Sequence, residues 1–353
     1  MIREIFEEPK IIRDTLSYVE ETIKNYNFKI SRIREYSLIY ITGSGTSYHA
    51  GLAGSYSLSS IAGVATSLVQ ASEFQTWVPP SVKNFLLLAF SQSGESTDVI
   101  AAVKAAIRRK GDVLAVTNTK NSTLANLSKF QLITKAGKEL AVTATKTYVA
   151  QLSAVYSFSV ELGKLMKTLT FSQSVQLMEK LHSVPKLIEN ILQSQSEKIM
   201  EIAEKYKQNT FIFLLGSGPN YATSLEGALK LKESCNIYAE GHAAREFLHG
   251  PMQLVNEQTP IFFLIPTEET EIKEWIQLIN RFRNFGVPTI TISYENEAVI
   301  ENATDSIIIP KGLPSFFTPI LYVVPLQLFS YYISVARGYN PDSPEKLSKV
   351  VKE

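Results

Sequence analysis

Cysteine is nearly absent from this chain of 353 residues: Cys235 stands alone, so no intrachain disulfide can staple the fold. Net charge is almost absent as well. The 35 basic and 34 acidic residues leave a formal charge of +1, which supplies no field to attract nucleic acid or an anionic membrane surface. Any negative ligand must therefore be met by a local set of donors. No uninterrupted apolar run reaches membrane-spanning length; the nearest, Ile320 to Val335, contains Pro325, Gln327 and Ser330. The opening Met1-Ile2-Arg3-Glu4-Ile5 has charges where a signal peptide would have its apolar core. A cytoplasmic chain with no membrane and no nucleic-acid partner is expected. No His, Cys and carboxylate set has metal-ligand spacing, and no Ser-His-Asp or Cys-His arrangement is legible. Neither a metal nor a cofactor is expected.

What the chain has is apolar residues enough for two cores, at 45% of its length. Short apolar runs alternate with helical segments. Strands are predicted at Ser37–Thr42, Ala65–Ala71, Phe85–Phe90, Val113–Thr117 and Gln131–Thr134, and again at Thr210–Leu215, Ile261–Ile265, Thr289–Ser293 and Ser306–Ile309. Alternation of this kind implies parallel sheets covered on both faces. Residues 3 to 35 read as one or two leading helices, and residues 146 to about 206 as long helices with a break at Pro185. The turn Gly43-Ser44-Gly45 after the first strand has a twin in Gly216-Ser217-Gly218, and each is followed three residues later by a tyrosine, Tyr48 and Tyr221. The fold expected is therefore α/β, two doubly wound parallel-sheet, flavodoxin-like lobes related by internal duplication. The boundaries predicted are 1–36 for the leading helices, 37–165 for the first lobe, 166–208 for connecting helices, 209–335 for the second lobe and 336–353 for a tail.

One stretch draws the chemistry together: Ser91-Gln92-Ser93-Gly94-Glu95-Ser96, between a buried strand and a helix beginning near Thr97. A strand that breaks into small hydroxyl residues and a glycine before a helix brings backbone N–H groups and hydroxyls to one point, an anion cradle. The ordinary alternative is a plain helix start with Ser96 as its cap. In the second lobe the equivalent stretch is Ile265-Pro266-Thr267-Glu268-Glu269-Thr270, whose acids and proline suit no phosphate, so a single anion site is expected. Gly43-Ser44-Gly45-Thr46-Ser47 lacks the third glycine of a dinucleotide fingerprint, Tyr48 standing in its place. Thr46 and Ser47 instead add hydroxyls beside the 91–96 loop. On a helix, Glu226, Lys230 and Glu233 make one charged stripe, which taken alone reads more readily as a solvated face than as a site. His242 and His249 both fall in Glu240–Pro251, which reads as a loop-rich segment where a histidine favours function.

Taken as a set, Ser91–Ser96, Ala228-Leu229-Lys230-Leu231-Lys232-Glu233, Leu248-His249-Gly250-Pro251, the tail Leu347-Ser348-Lys349 and the opening Glu4-Ile5-Phe6-Glu7-Glu8-Pro9 resemble the isomerase half of glucosamine-6-phosphate synthase, which is built of two sugar isomerase (SIS) domains. The likeness runs over essentially the whole chain. It implies a phosphorylated amino sugar held by Ser47, Ser91, Gln92, Ser93 and Ser96 with Gly45 and Thr46 nearby, Val142 and Ser348 also contacting it. It makes Glu233 the acid/base that moves a proton between C1 and C2, Lys230 its support, His249 an aid to ring opening contributed by a neighbouring subunit, and Lys349 a lysine able to form an imine with a ketose. A homodimer with shared active sites is implied too. The glutaminase half of the synthase has no counterpart in these residues, so a route to ammonia from glutamine is not expected. Ala144 stands where the synthase has a serine facing the sugar, and Arg245-Glu246-Phe247-Leu248 differs from its usual segment; both lean toward stand-alone amino-sugar deaminases. The activity implied is glucosamine-6-phosphate deamination and isomerisation to fructose-6-phosphate. The rivals are a deglycase or isomerase of another phosphorylated amino sugar or fructosamine, an isomerase component of an aminotransferase, and a sugar-phosphate sensor without catalysis.

Overall fold

A computed structural model of the chain describes residues 1–25, 33, 35, 36 and 38–349. Ser37, expected to start the first strand, and residues 26–32 and 34 of the predicted leading segment lie outside the described residues. Two compact units are present, one of Glu7–Glu139, Lys146–Pro185 and the end of the tail from Ser348, the other of Met1–Phe6, Leu140–Thr145 and Lys186–Leu347.

In the unit that carries the first sheet, helix α2 (Glu8–Asn25) precedes β1 (Leu38–Gly43), α3 (Thr46–Ala62), β2 (Thr66–Gln70), α4 (Phe74–Trp77), β3 (Phe85–Ser91), α5 (Thr97–Arg108), β4 (Asp112–Thr117), α6 (Thr123–Leu127), β5 (Phe130–Ile133) and α7 (Lys146–Met166), while α1 (Ile2–Phe6) belongs to the other unit. The strands are all parallel, in the order β2-β1-β3-β4-β5. Every residue of β3 is buried, as expected of a central strand with helices on both faces. Burying each of its large side chains, Phe85, Leu86, Leu87, Leu88 and Phe90, contributes about 1.5–3 kcal/mol.

The other unit repeats this plan. After α9 (Ser196–Tyr206) come β6 (Phe211–Gly216), α10 (Asn220–Cys235), β7 (Tyr238–Ala243), β8 (Ile261–Leu264), α11 (Glu269–Arg283), β9 (Thr289–Ser293), α12 (Glu297–Asn302), β10 (Asp305–Ile308) and α13 (Pro319–Ala336). Its order, β10-β9-β8-β6-β7, is the first order read from the other edge. The duplication expected from the glycine turns thus extends to the topology. Gly43 and Gly216 owe their identity to the same close approach: a Cβ on Gly43 would lie 2.9 Å from the Ser47 carbonyl carbon, and one on Gly216 2.2 Å from the Asn220 oxygen. Only glycine lets the strand end and the following helix turn meet so tightly. Helix α13 is apolar and long enough to cross a membrane by length and composition, but 78% of it is buried within the protein.

Two expectations need correction. The helix α8 (Phe171–Ser194) does not break at Pro185 but carries it inside. Leu181, Val184, Ile188 and Ile191 on one of its faces are almost wholly buried, and that packing outweighs the one hydrogen bond a proline forfeits. Glu240-Gly241-His242-Ala243 is not loop but the end of the edge strand β7. Its glycine and charged residues hid the strand pattern, and pairing with β6 from Phe211↔Tyr238 to Gly216↔Ala243 decides the conformation.

Candidate active site

In the first sheet, β1 connects outward to β2 on one side while β3 lies on the other, so the carboxyl ends of β1 and β3 flank a topological switch point, where doubly wound sheets bind ligands. Gly43–Ser47 leaves one of these strand ends and Ser91–Ser96 the other. Gly45, with φ 52° and no side chain, is the residue before α3. Ser47 is buried and its Oγ accepts from Gln151 Nε2 at 3.0 Å. Gln151 is a positioning residue that the motif reading missed, because it comes from α7, more than a hundred residues away.

The 91–96 loop is tightly braced. Ser91 Oγ accepts from the Gly94 N–H at 3.1 Å and Ser93 Oγ from the Glu95 N–H at 3.1 Å. Acting as acceptor leaves each hydroxyl its own proton to donate. The Gln92 carbonyl accepts from Asn118 N at 3.0 Å and Thr117 Oγ1 at 3.3 Å, and the Glu95 carboxylate caps Thr123 by its N–H and hydroxyl at 2.8 Å each. Gly94 has φ +67°, and a Cβ there would stand 2.1 Å from Ser122 Oγ. Ser96 precedes α5 in an extended conformation but makes no side-chain cap hydrogen bond, so the plain capping alternative does not use its hydroxyl. The side chain of Glu95 points to α6 rather than into the cradle, which removes the one negative group of the motif.

The corresponding switch point of the second sheet holds a crevice of about 230 Å³ lined by Ser217, Asn220, Thr267, Glu268 and Glu271. Burial, with Glu268 and Glu274 nearby, raises the Glu271 carboxyl above its ordinary range, and Arg245 opposes the rise.

Glu226, Lys230 and Glu233 do fall on one face of α10, but not a solvated one. Glu226 and Lys230 are fully buried, and Lys230 Nζ lies 2.7 Å from Glu233 Oε2 and 3.2 Å from Glu226 Oε1. Burial alone would lower the ammonium's pKa; the two carboxylates outweigh it and hold Lys230 above its ordinary value, charged. Glu233 keeps 22% of its side chain exposed, so it is the one member of the three that can meet a ligand. The solvated face expected from the sequence does not hold, because i, i+4 spacing does not tell which side of a helix faces the core. Gly227, beside the stripe, is the signal that could have corrected it: a Cβ there would lie 2.7 Å from both Leu214 and Leu326, so α10 is pressed against β6 and α13 and is not a surface helix.

The remaining expected residues are dispersed. His249 is exposed at the end of a 3₁₀ turn, Glu246–His249, its ring in no hydrogen bond or ion pair with the described residues, whereas His242 packs against Phe213 and Phe247 and bonds Glu240 at 3.1 Å. Val142 is half-buried and its N–H donates to the Asp342 carbonyl at 3.0 Å. Ser348 is exposed, and Lys349 Nζ lies 2.6 Å from the fully buried Glu139 carboxylate. By unit, the hydroxyl loops and Lys349 belong with the first sheet, and Val142, Lys230, Glu233 and His249 with the second.

Among known families, the model of the SIS domain matches residues 33–160 and 205–337. A glutamine–fructose-6-phosphate aminotransferase of Clostridium tetani is 37% identical over 99% of this chain, which spans 58% of that relative's length. Among solved structures, the C-terminal domain of glucosamine-fructose-6-phosphate aminotransferase from Francisella tularensis superposes with a TM-score of 0.89 at 28% identity, over 97% of each chain. Glucosamine-6-phosphate deaminase from Thermotoga maritima, at 22% identity over 99% of each chain and a TM-score of 0.73, shares the fold.

Proposed function

From the premise that this chain belongs to the SIS domain family, we propose that it is an aldose–ketose isomerase of 6-phosphorylated amino sugars, converting glucosamine-6-phosphate to fructose-6-phosphate and ammonia. The observation that carries this reading is the partly exposed Glu233 carboxylate held 2.7 Å from a buried ammonium. Such a reaction removes a weakly acidic proton beside a carbonyl, so it needs a fixed carboxylate and a nearby positive charge for the developing oxyanion. Glu233 takes the C2 proton of the open-chain sugar, leaving a 1,2-enolamine, and returns it to C1. The product is the C2 imine, fructosimine-6-phosphate; water adds at C2 and ammonia leaves. Lys230, kept charged by Glu226, stabilises the anion without giving up its own proton. Ser47, Ser91, Gln92, Ser93 and Ser96, with the Gly45 backbone and Thr46, are assigned to the phosphate, whose binding energy orients the reacting carbons. Val142 and Ser348 are assigned contacts to the sugar, His249 ring opening, and Lys349 imine formation with the ketose. The protein acts as a homodimer in the cytoplasm.

A second reading has its own support. Two relatives are glutamine–fructose-6-phosphate aminotransferases of which this chain covers somewhat more than half, which favours the isomerase component of an aminotransferase. Incubation with glucosamine-6-phosphate, assaying ammonia and fructose-6-phosphate, and the reverse incubation of fructose-6-phosphate with ammonium or glutamine, separates the two. No turnover in either direction, with this or any other 6-phosphorylated amino sugar, rejects the enzyme and leaves a sugar-phosphate sensor.

A further inference from the structure

We propose that Glu139 is the socket that positions Lys349. The Glu139 side chain is fully buried, and a buried carboxylate is tolerated only when its lone pairs are met. They are met from two directions. Thr147, in the first turn of the 21-residue helix α7, donates its N–H to Oε1 at 3.2 Å and its hydroxyl to Oε2 at 2.8 Å. This half belongs to the scaffold, where a helix start favours a negative charge. Lys349 Nζ donates to Oε2 at 2.6 Å, and this half arrives on the C-terminal tail. Leu347 is 45% exposed and Ser348 is exposed, so apolar burial of these two residues contributes little to holding Lys349 in place. The ammonium placed on a carboxylate that is itself fixed at a helix start defines where the tail lysine sits.

The division of labour has a chemical consequence. A long, rotamer-rich lysine on an exposed tail loses much of its effectiveness unless something restricts it, and misplacement by about 1 Å is worth on the order of a hundredfold in rate. Glu139 restricts Nζ without occupying the hydroxyl loops. It is a positioning residue, acting through Lys349, and its effect on turnover rests on the reading of Lys349 given above; its hold on the tail does not.

The test uses the full-length protein and the variants Glu139→Gln and Lys349→Gln. Gln keeps one acceptor oxygen for the Thr147 N–H, its amide NH2 taking the other position, while removing the charge that Lys349 meets, and Lys349→Gln changes only a half-exposed tail residue, so one of the pair reports even where the other folds poorly. Limited trypsinolysis followed by intact-mass measurement reads tail release as cleavage after Lys346. Both variants are expected to lose the tail several-fold faster than wild type, with unchanged circular dichroism and unchanged affinity for inorganic phosphate. On glucosamine-6-phosphate both are expected to lower kcat about tenfold or more while KM moves little, the double variant being no slower than the slower single. Glu139→Asp should recover part of the tail protection and part of kcat together. Wild-type tail protection in Glu139→Gln overturns the proposal, and a released tail with unaltered kcat overturns the effect on turnover and with it the reading of Lys349. If the wild type turns over no phosphorylated amino sugar, the enzyme reading fails, and the trypsin result still decides whether Glu139 holds Lys349.

Discussion

Three side chains on one helix carry the chemical argument, and their burial decides what each can do. Glu233 is the partly exposed one and is the proposed base; Lys230 and Glu226 are inside. Glu233→Gln keeps the shape and removes the base, so kcat should fall by about 100- to 10,000-fold, while titration calorimetry finds inorganic phosphate bound as in the wild type. Equal activity in the variant would reject Glu233 as the base. Glu226→Ala leaves part of a buried charge uncompensated, and chemical denaturation should show a loss of about 3 kcal/mol. At the 91–96 loop the decisive residue has no side chain. Gly94 is strained for any L-residue by its φ of +67° and is in van der Waals conflict with Ser122 if a Cβ is added. Gly94→Ala should therefore weaken phosphate binding by about tenfold or more, the equivalent of the roughly 1–3 kcal/mol such positions cost, with Glu233 and Lys230 untouched.

Among the elements, α2 and α8 are tied by a pair whose strength depends on pH. His182 Nε2 lies 2.7 Å from Glu20 Oε1. The hydrogen bond to Glu20 raises the histidine's pKa above 6.5, partial burial opposing it and the carboxylate's charge adding to it. A raised folded value means the tie is complete below pH 6.5, the value of the unfolded chain, and is lost as pH rises through the folded value. The His182 C2 proton should titrate in NMR with a midpoint above 6.5, and Glu20→Gln should bring it back down. The side chain is 45% exposed, so solvent screening keeps the stability effect small. The same elements show why a proline is a weaker punctuation mark than a glycine turn here. Pro185 removes one N–H from a helix whose buried face continues on both sides, whereas Gly43 and Gly216 stand where any side chain would collide with backbone.

At the scale of the whole molecule, the repeated strand order argues for two copies of one plan that have diverged at their ligand edges. The first keeps hydroxyls and a glycine at its switch point; the second has Glu268 and Glu271 there. The second lobe also contains the chain's one thiol. Cys235 is buried at the end of α10, bonded to the Ser330 carbonyl at 3.1 Å, and burial pushes it up to about 11 despite the hydrogen bonds from Ser234 and Ser330 that pull the other way. Since the thiolate is the nucleophile, the native protein should resist an aromatic disulfide reagent at neutral pH. Trp275, 5% exposed, lies in the core of the same lobe, while Trp77 is 68% exposed. Labelling of Cys235 and the main change in tryptophan fluorescence should follow one denaturation curve. Prompt labelling without denaturant would contradict the packing of α10 against α13.

Composition, glycine turns and the spacing of apolar runs determined by themselves that this is a duplicated parallel α/β protein, because strand and helix periods and backbone strain are local properties that a reader can count. Nine of the ten strands among the described residues were legible for that reason, and the 91–96 loop was legible because a strand, small hydroxyls, a glycine and a helix follow one another in the chain. Only the tertiary structure decided which face of α10 is buried, that Glu240–Ala243 pairs as an edge strand, that Gln151 braces Ser47, and that Glu139 receives Lys349. Each of these is a contact between residues distant in sequence or a choice between two faces of one helix. Local pattern carries no information about either, because both are settled by what the rest of the chain packs against.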